Sequence, residues 1–478
     1  MWTFEYAPVD YFRETYGFDV TREWLDDVRL SSLRLSTGCS ASFVSADGLV
    51  MTNHHCVRGS LPTVQEEGER ILDMGFFAPT LEDERKIPDV YLEQLIEIRD
   101  VTAEIHAVMD AAESHEARVA ARDAKITEIT ESAEEETGYR AQVITLYDGG
   151  KFSLYLYRRF DDVRLVLAPE LHIAHFGGEF DNFTYPRYCL DFSFLRIYDD
   201  DGKPYRPDNF FNWNKTGAKE GEPVFVIGNP GSTSRLSTAE QLAYYRDVQY
   251  PFVYELINNR MDVLLRYAEQ HPEKREEIRT DILSMSNAQK AYMGRLAGLR
   301  DDVLMQRRRD FDRRFRAEVM KRPELTKKYG HVWEEIAETR DRVRDVAADL
   351  YAFRTGGLGV AETYTKAAQL VMLAEQLQKP EDERSDAFKG NRLDVMKRAL
   401  AKAMDPDAGM ERLTLENQLK MMISQVGVDD PVVQVLLQGR TPETAAAALL
   451  RSTLLHDSIR VAALVEGTPD AVMNSDDP

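Results

Sequence analysis

The chain has 478 residues, 43% hydrophobic and 30% charged; at about 150 residues per domain this is roughly three domains' worth, and it excludes wholesale disorder. The balance of 60 basic against 82 acidic side chains leaves a net charge of −22 and a pI of about 5.0. A polyanion partner needs a basic footprint, so neither nucleic acid nor an anionic membrane is expected as a partner. No window holds the roughly 18 apolar residues of a membrane span. Met1 leads directly into Trp2-Thr3-Phe4-Glu5-Tyr6, which lacks a signal-peptide pattern. Three cysteines, Cys39, Cys56 and Cys189, exclude a disulfide-rich scaffold and allow one bridge plus one free thiol.

Along the chain, residues 30–60 read as β structure, with strands at Ser42-Phe43-Val44-Ser45 and Leu49-Val50-Met51-Thr52 around the turn Ala46-Asp47-Gly48. Glu, Ala, Lys and Arg then dominate from Leu95 to Gly138, which predicts an exposed helical insertion. Strands return at Phe152–Tyr157, Val163–Leu167 and Phe192–Tyr198, the last followed by the turn Asp199-Asp200-Asp201-Gly202. Val224-Phe225-Val226-Ile227 reads as a short buried strand closed by Gly228-Asn229-Pro230-Gly231. Ser237 with Glu240 gives a capping-box signature, and helix-forming sequence continues to about Val465. Within it, Leu304, Phe311, Phe315 and Val319 share a helical face that ends before Pro323, and the arginines between Arg307 and Arg316 suit a solvated surface.

Two stretches carry chemistry. Thr52-Asn53-His54-His55-Cys56 ends the second strand of a hairpin that Gly38-Cys39 precedes. A general-base histidine in a chymotrypsin-type peptidase occupies such a place, because an error near 1 Å in placing its imidazole can cost about 100-fold in rate. Two unrelated histidines beside a thiol would look the same in this pentapeptide. Metal chelation by His54 and His55 is disfavoured, since adjacent strand residues point to opposite faces. The second stretch runs from Gly177 to Leu195, where Asp191 opens an alternating strand and could accept the Nδ1 proton of His55. Taken alone, an Asp before a strand is more often a cap or turn residue. The order of histidine before aspartate matches the triad, and the insertion accounts for most of their long separation. His172 and His175 lack a third ligand, and Asp199–Gly202 lacks the downstream glutamate of a calcium loop, so no metal is expected.

With both stretches present, the chain resembles the bacterial dipeptidyl-peptidase 7/11 family of chymotrypsin-fold serine exopeptidases. The matching pieces are Met1-Trp2-Thr3-Phe4, Gly48 to Cys56, Phe176-Gly177-Gly178 through Asp191-Phe192-Ser193-Phe194, Gly228 to Arg235, and Ser284-Met285-Ser286-Asn287-Ala288-Gln289-Lys290. The resemblance implies a mixed β and α multidomain architecture. A first chymotrypsin-like barrel would span 1–219 with its helical insertion near 95–138. Residues 220–236 would open a second, incomplete barrel, and 237–478 would form an α-helical cap domain. It further implies that His55 is the general base, Asp191 its orienter, and Asn182 with Phe183 the anchor for the free α-amino group of a peptide substrate.

The same resemblance implies a Cys39–Cys56 disulfide, no cofactor, a periplasmic or secreted location and an allowance for a homodimer. Where the family usually has tryptophan, Phe183 keeps an aromatic face for a cation–π contact but lacks the indole donor. Cys189 also departs from the family pattern. The family's Gly-Asn-Ser-Gly-Ser turn, which bears the nucleophile, is absent from this sequence. Ser232 is a poor substitute: Pro230 takes the nucleophile's place, and the turn comes too soon after Asp191. The chain alone is therefore expected to be a C-terminally incomplete, inactive form. The competing expectation is a non-catalytic peptide-binding relative that lacks the nucleophile.

Overall fold

The computed structural model describes residues 2–229, 236–402 and 404–478. The chain divides into a sheet-bearing unit, Met1–Phe176 with Tyr185–Leu236, and a helical unit, Gly177–Thr184 with Ser237–Pro478.

The sheet unit contains β1 (Ser32–Leu35), β2 (Ser40–Phe43), β3 (Leu49–Thr52), β4 (Phe76–Phe77), β5 (Arg85–Lys86), β6 (Leu92–Asp100), β7 (Arg140–Leu146), β8 (Lys151–Phe160), β9 (Asp162–Ala168) and β10 (Ser193–Tyr198). They pair antiparallel in the order β4-β9-β10-β3-β2-β1-β6-β8-β7, with β5 beside β9. In β1, β2 and β3 every second residue is buried. Their inward residues, including Leu33, Phe43 and Val50, join Leu165, Leu195 and Ile197 in one core, where full burial of each is worth about 1.5–3 kcal/mol. Gly48 turns β2 into β3 at φ +74°, and a Cβ there would lie 2.7 Å from the Tyr205 carbonyl oxygen, so glycine is required. Register then places the chemistry. Ser193 pairs with Thr52, so the residues just before β10 lie beside those just after β3.

Several expectations change. The helical insertion does not begin at Leu95: β6 continues to Asp100, and the helices are Thr102–Asp110 and His115–Thr137. Glu and Leu favour a helix locally, but β6 is hydrogen-bonded to both β1 and β8, and that ladder overrides propensity. Val224–Ile227 keeps a strand's alternation, with Val226 99% exposed and Phe225 packed on Phe12, Phe18 and Trp24. It joins no ladder among the described residues, so it is not a strand here. Pro230 to Arg235, including Ser232, lie outside the described residues.

In the helical unit the first cap also moves: Thr238 and Gln241, one position beyond Ser237 and Glu240, form the capping box of Ala239–Tyr244. The spacing is the same, and the sequence offers both pairs. The helix Asp302–Met320 does carry Leu304, Phe311 and Phe315, but on an exposed face; of the four only Val319 is buried. Arg313 and Arg316 pair with Asp310 and Glu334, as a solvated surface should. The helix Ala408–Val426 runs through the middle of the unit and is buried on nearly every face. Its acidic side chains are matched. Glu416 meets Lys420 at 2.7 Å and Arg266 at 2.9 Å, and Glu411 accepts the backbone N–H of Thr363 at 2.7 Å and of Glu362 at 3.1 Å, capping the helix Glu362–Leu377.

Residues 177–184 fold with the helices rather than with the sheet that surrounds them in sequence. Gly177, at φ +118°, lies so close to the helix Arg279–Leu299 that a Cβ would collide with the Leu283 carbonyl oxygen. Lys290 on the same helix donates to the carbonyl oxygens of Phe180 at 2.6 Å and Glu179 at 3.2 Å.

Candidate active site

The strand preceding the histidines stops at Thr52. Asn53 leads into a single helical turn, His54–Val57, so His54 and His55 are not the strand residues the hairpin suggested. The turn sends the two rings to different surroundings. His55 faces Asp191: its Nδ1 is 2.7 Å from Asp191 Oδ2, and its backbone N–H donates to Asp191 Oδ1 at 2.9 Å. Asn53 Nδ2 donates to the Asp191 backbone oxygen at 2.9 Å and reaches Oδ2 at 3.3 Å. One carboxylate thus grips both the ring and the main chain of one residue. Burial by itself pushes the Asp191 carboxyl up. The hydrogen bonds from the His55 ring and backbone outweigh this, and the net shift is below the ordinary carboxylate value. A cavity of about 370 Å³ opens beside the pair, lined by Ser40, Thr52, Asn53, Asp191, Phe211 and Phe225 among others.

His54 turns inward. It is fully buried, and neither ring nitrogen has a hydrogen-bond partner among the described residues. Burial drives its pKa down to about 4, with the Arg58 charge adding to the effect and Asp191 opposing it, so the ring is neutral at pH 7. Arg58 is buried as well, and its Nη1 donates to the Phe176 carbonyl oxygen at 2.8 Å. Phe176 stacks on the His55 ring with centroids 4.2 Å apart and planes 16° from parallel.

Asn182 and Phe183 belong to the helical unit. Asn182 is fully buried, and its Nδ2 donates to Asn287 Oδ1 at 2.9 Å. Phe183 is 60% exposed and holds φ at +60°, a conformation that bulky residues rarely adopt. Asn53, Phe176, Arg58 and Asn287 escaped the sequence reading as site residues. Asn53, Phe176 and Asn287 lie within stretches that the family resemblance used and Arg58 lies two residues beyond one, yet no spacing rule marks a stacking partner or a buried amide pair.

Cys39 and Cys56 are bonded, with Cα atoms 6.1 Å apart and 17 positions between them in sequence. The bridge ties β2's entry to the His54–Val57 turn. Replacing both by serine is expected to lower the sheet unit's stability by about 3 kcal/mol, the chain-entropy value for a loop of this size. Urea midpoints measured without reductant test this, and equal midpoints would refute it. Their sulfurs lie within 4.8 Å of a His55 ring nitrogen, but being bonded to each other they are not offered to a metal. Cys189 is free and half-buried; burial pushes its thiol up, and Sγ donates to the His175 carbonyl oxygen at 3.0 Å. His172 and His175 are exposed.

The peptidase S46 family model matches residues 1–478. Among curated relatives, the chain is 28% identical over 386 residues to an Asp/Glu-specific dipeptidyl-peptidase of Shewanella putrefaciens, covering 78% of this chain and 52% of the relative. It is 26% identical over 348 residues to a dipeptidyl-peptidase 7 of Capnocytophaga gingivalis, covering 70% of this chain and 48% of the relative. The chain therefore spans about half the length of the curated relatives it matches. The crystal structure of Porphyromonas endodontalis DPP11 in complex with the dipeptide Arg-Glu superposes on 100% of this chain and 71% of that one, with a TM-score of 0.70 at 18% identity. That likeness shows the fold: an antiparallel sheet joined to a large set of helices. By the match along its whole length, the chain belongs to the peptidase S46 family.

Proposed function

We propose that the chain carries the general-base portion of a serine-type dipeptidyl-peptidase, which releases dipeptides from the free N-terminus of peptides. The observation that carries this is the Asp191 carboxylate, which holds both Nδ1 and the backbone N–H of His55. With Nδ1–H donated to Asp191, Nε2 bears the lone pair. It can then take the proton of an attacking serine hydroxyl and return it to the leaving amine. Asp191 stays ionised and offsets the imidazolium charge as it forms.

Among the described residues no serine hydroxyl is hydrogen-bonded to His55. We assign the nucleophile and its oxyanion donors to a segment outside these 478 residues. On this reading the sheet is the first chymotrypsin-like barrel, Val224–Ile227 becomes the opening strand of the second once a partner strand is supplied, and the helical unit is the cap domain. The Cys39–Cys56 bridge supports an oxidising location, the periplasm or the exterior. Asn182 is read as the anchor of the substrate ammonium: Asn287 fixes its amide by accepting from Nδ2, which orients Oδ1 as the acceptor.

Loss of a charge-assisted contact of this kind costs roughly 1.5–3 kcal/mol. Asn182→Ala in the nucleophile-bearing enzyme is therefore expected to lower kcat/KM for free dipeptidyl substrates about 10- to 150-fold, with little change for N-acylated ones. Equal losses on both would remove Asn182 from the role. The overall reading is tested with a dipeptidyl fluorogenic substrate, using the 478-residue chain alone and the chain extended through a Gly-Asn-Ser-Gly segment. Turnover only in the extended form, abolished by His55→Ala, is expected. Among the described residues no serine lies on His55, which also suits a second reading, a non-catalytic peptide-binding relative. That reading predicts saturable peptide binding and no turnover in either form.

A further inference from the structure

We propose that Phe176 is a positioning residue for His55, an aromatic wall that fixes the plane of the imidazole; its significance for catalysis rests on His55 being the base. Asp191 secures one edge of the ring at Nδ1. A hydrogen bond at one edge sets tautomer and distance, but it leaves the ring able to rotate about the Nδ1···Oδ2 line and carry Nε2 away from a nucleophile. A flat neighbour against the ring face stops that rotation. Phe176 supplies it, at 4.2 Å between centroids and 16° between planes.

The wall is itself anchored. The buried Arg58 guanidinium holds the Phe176 carbonyl oxygen at 2.8 Å, and the Arg187 guanidinium carbon lies 4.7 Å from the Phe176 ring centroid. Arg58 is buried at a cost in desolvation, and among the described residues that main-chain oxygen is the acceptor its guanidinium holds. His55, Phe176 and Arg187 therefore form a column of imidazole, benzene ring and guanidinium, all within the sheet unit. The aromatic face is negative, so it also favours the imidazolium that forms when His55 takes a proton. Both services need the flat π face as well as the volume of the side chain, which separates this role from ordinary packing.

The test uses Phe176→Leu, which keeps most of the volume and loses the flat face, Phe176→Ala as the larger deletion, and Phe176→Tyr, which keeps the face. In the 478-residue chain, the low-field proton resonance of His55 Nδ1–H reports the His55–Asp191 bond directly and requires no peptidase activity. Its assignment is checked by its loss in Asp191→Asn. We expect Phe176→Leu and Phe176→Ala to speed exchange of that proton at least tenfold, while Phe176→Tyr stays within a factor of two or three of the parent. In the nucleophile-bearing enzyme, the Leu and Ala variants should lose about 10- to 100-fold in kcat, the scale of a misplaced catalytic group, with KM within threefold, and Tyr should restore kcat. Unchanged proton exchange in both Leu and Ala overturns the proposal, even if the peptidase reading holds. A Tyr variant as impaired as Leu also overturns it, because packing alone would then explain the loss. If the peptidase reading fails instead, the exchange result still stands or falls by itself.

Discussion

Replacing Asp191 by asparagine is expected to lower kcat of the nucleophile-bearing enzyme by about four orders of magnitude with little change in KM. The carboxylate accepts on both oxygens: Oδ1 takes the His55 backbone N–H and Oδ2 takes the ring and the Asn53 amide. Asparagine has one acceptor oxygen and one NH2 group, so one of these partners must meet a donor. If the NH2 faces Nδ1, the ring is driven to the tautomer with its proton on Nε2, and it can no longer accept from a serine. If the NH2 faces the backbone N–H, two donors oppose each other and the His54–Val57 turn shifts. Either arrangement disables the base while leaving the residue nearly isosteric. Kinetics on the purified variant, with circular dichroism to show that the fold persists, decide the matter. A kcat within tenfold of the parent would mean that Asp191 is a structural cap of the turn and not the orienter of a catalytic base.

The His55–Asp191 pair was legible because both partners sit where strands end. Alternation of apolar residues marked β3 and β10, and antiparallel pairing of those strands, Ser193 on Thr52, does the rest. The orientation of His54 was not legible. Adjacent residues at a strand's end should face opposite ways, and they do diverge here, but through the helical turn His54–Val57, where the hairpin suggested continuing strand. Propensity failed at β6 for a related reason: Leu92–Asp100 is rich in helix formers, and only the neighbouring β1 and β8 make it a strand. The same long-range logic moved residues 177–184. Nothing within Gly177–Thr184 announces helical company. Their anchors, Leu283, Asn287 and Lys290, lie about a hundred positions downstream, in a stretch whose matched motif carried no assigned role.

Val224–Ile227 shows the converse case. Its alternation is that of a strand, and Phe225 is tucked among Phe12, Phe18 and Trp24 while Val224 and Val226 stay exposed. A strand is defined by its partner as much as by its own residues, and no partner is present among the described residues. Sequence pattern alone reads the half that the segment contributes.

The sheet unit should lose stability in a specific acid window, because of His54. The ring is fully buried with a pKa near 4, whereas an exposed histidine in the unfolded chain titrates near 6.5. Between those values the unfolded state binds a proton that the native state does not, so stability rises with pH there and falls as pH drops. The loss begins below about pH 6.5, is complete near pH 4, and on the order of 3 kcal/mol is at stake. Asp191 acts in the same direction at a lower pH. Its native pKa is depressed, so its contribution is present above the ordinary carboxylate value near 4 and disappears only below it. The two windows are therefore separable. Amide hydrogen exchange in β3 and β10, followed by mass spectrometry at pH 7.5, 6 and 4.5 with correction for intrinsic rates, reports the opening free energy of the strands that flank the turn. The parent should weaken progressively across that series. His54→Phe removes the titrating ring from its buried site and should leave exchange protection nearly level from pH 7.5 to 4.5. If the variant weakens as steeply as the parent, another group owns the acid transition, and the buried ring of His54 carries a proton without cost to the fold.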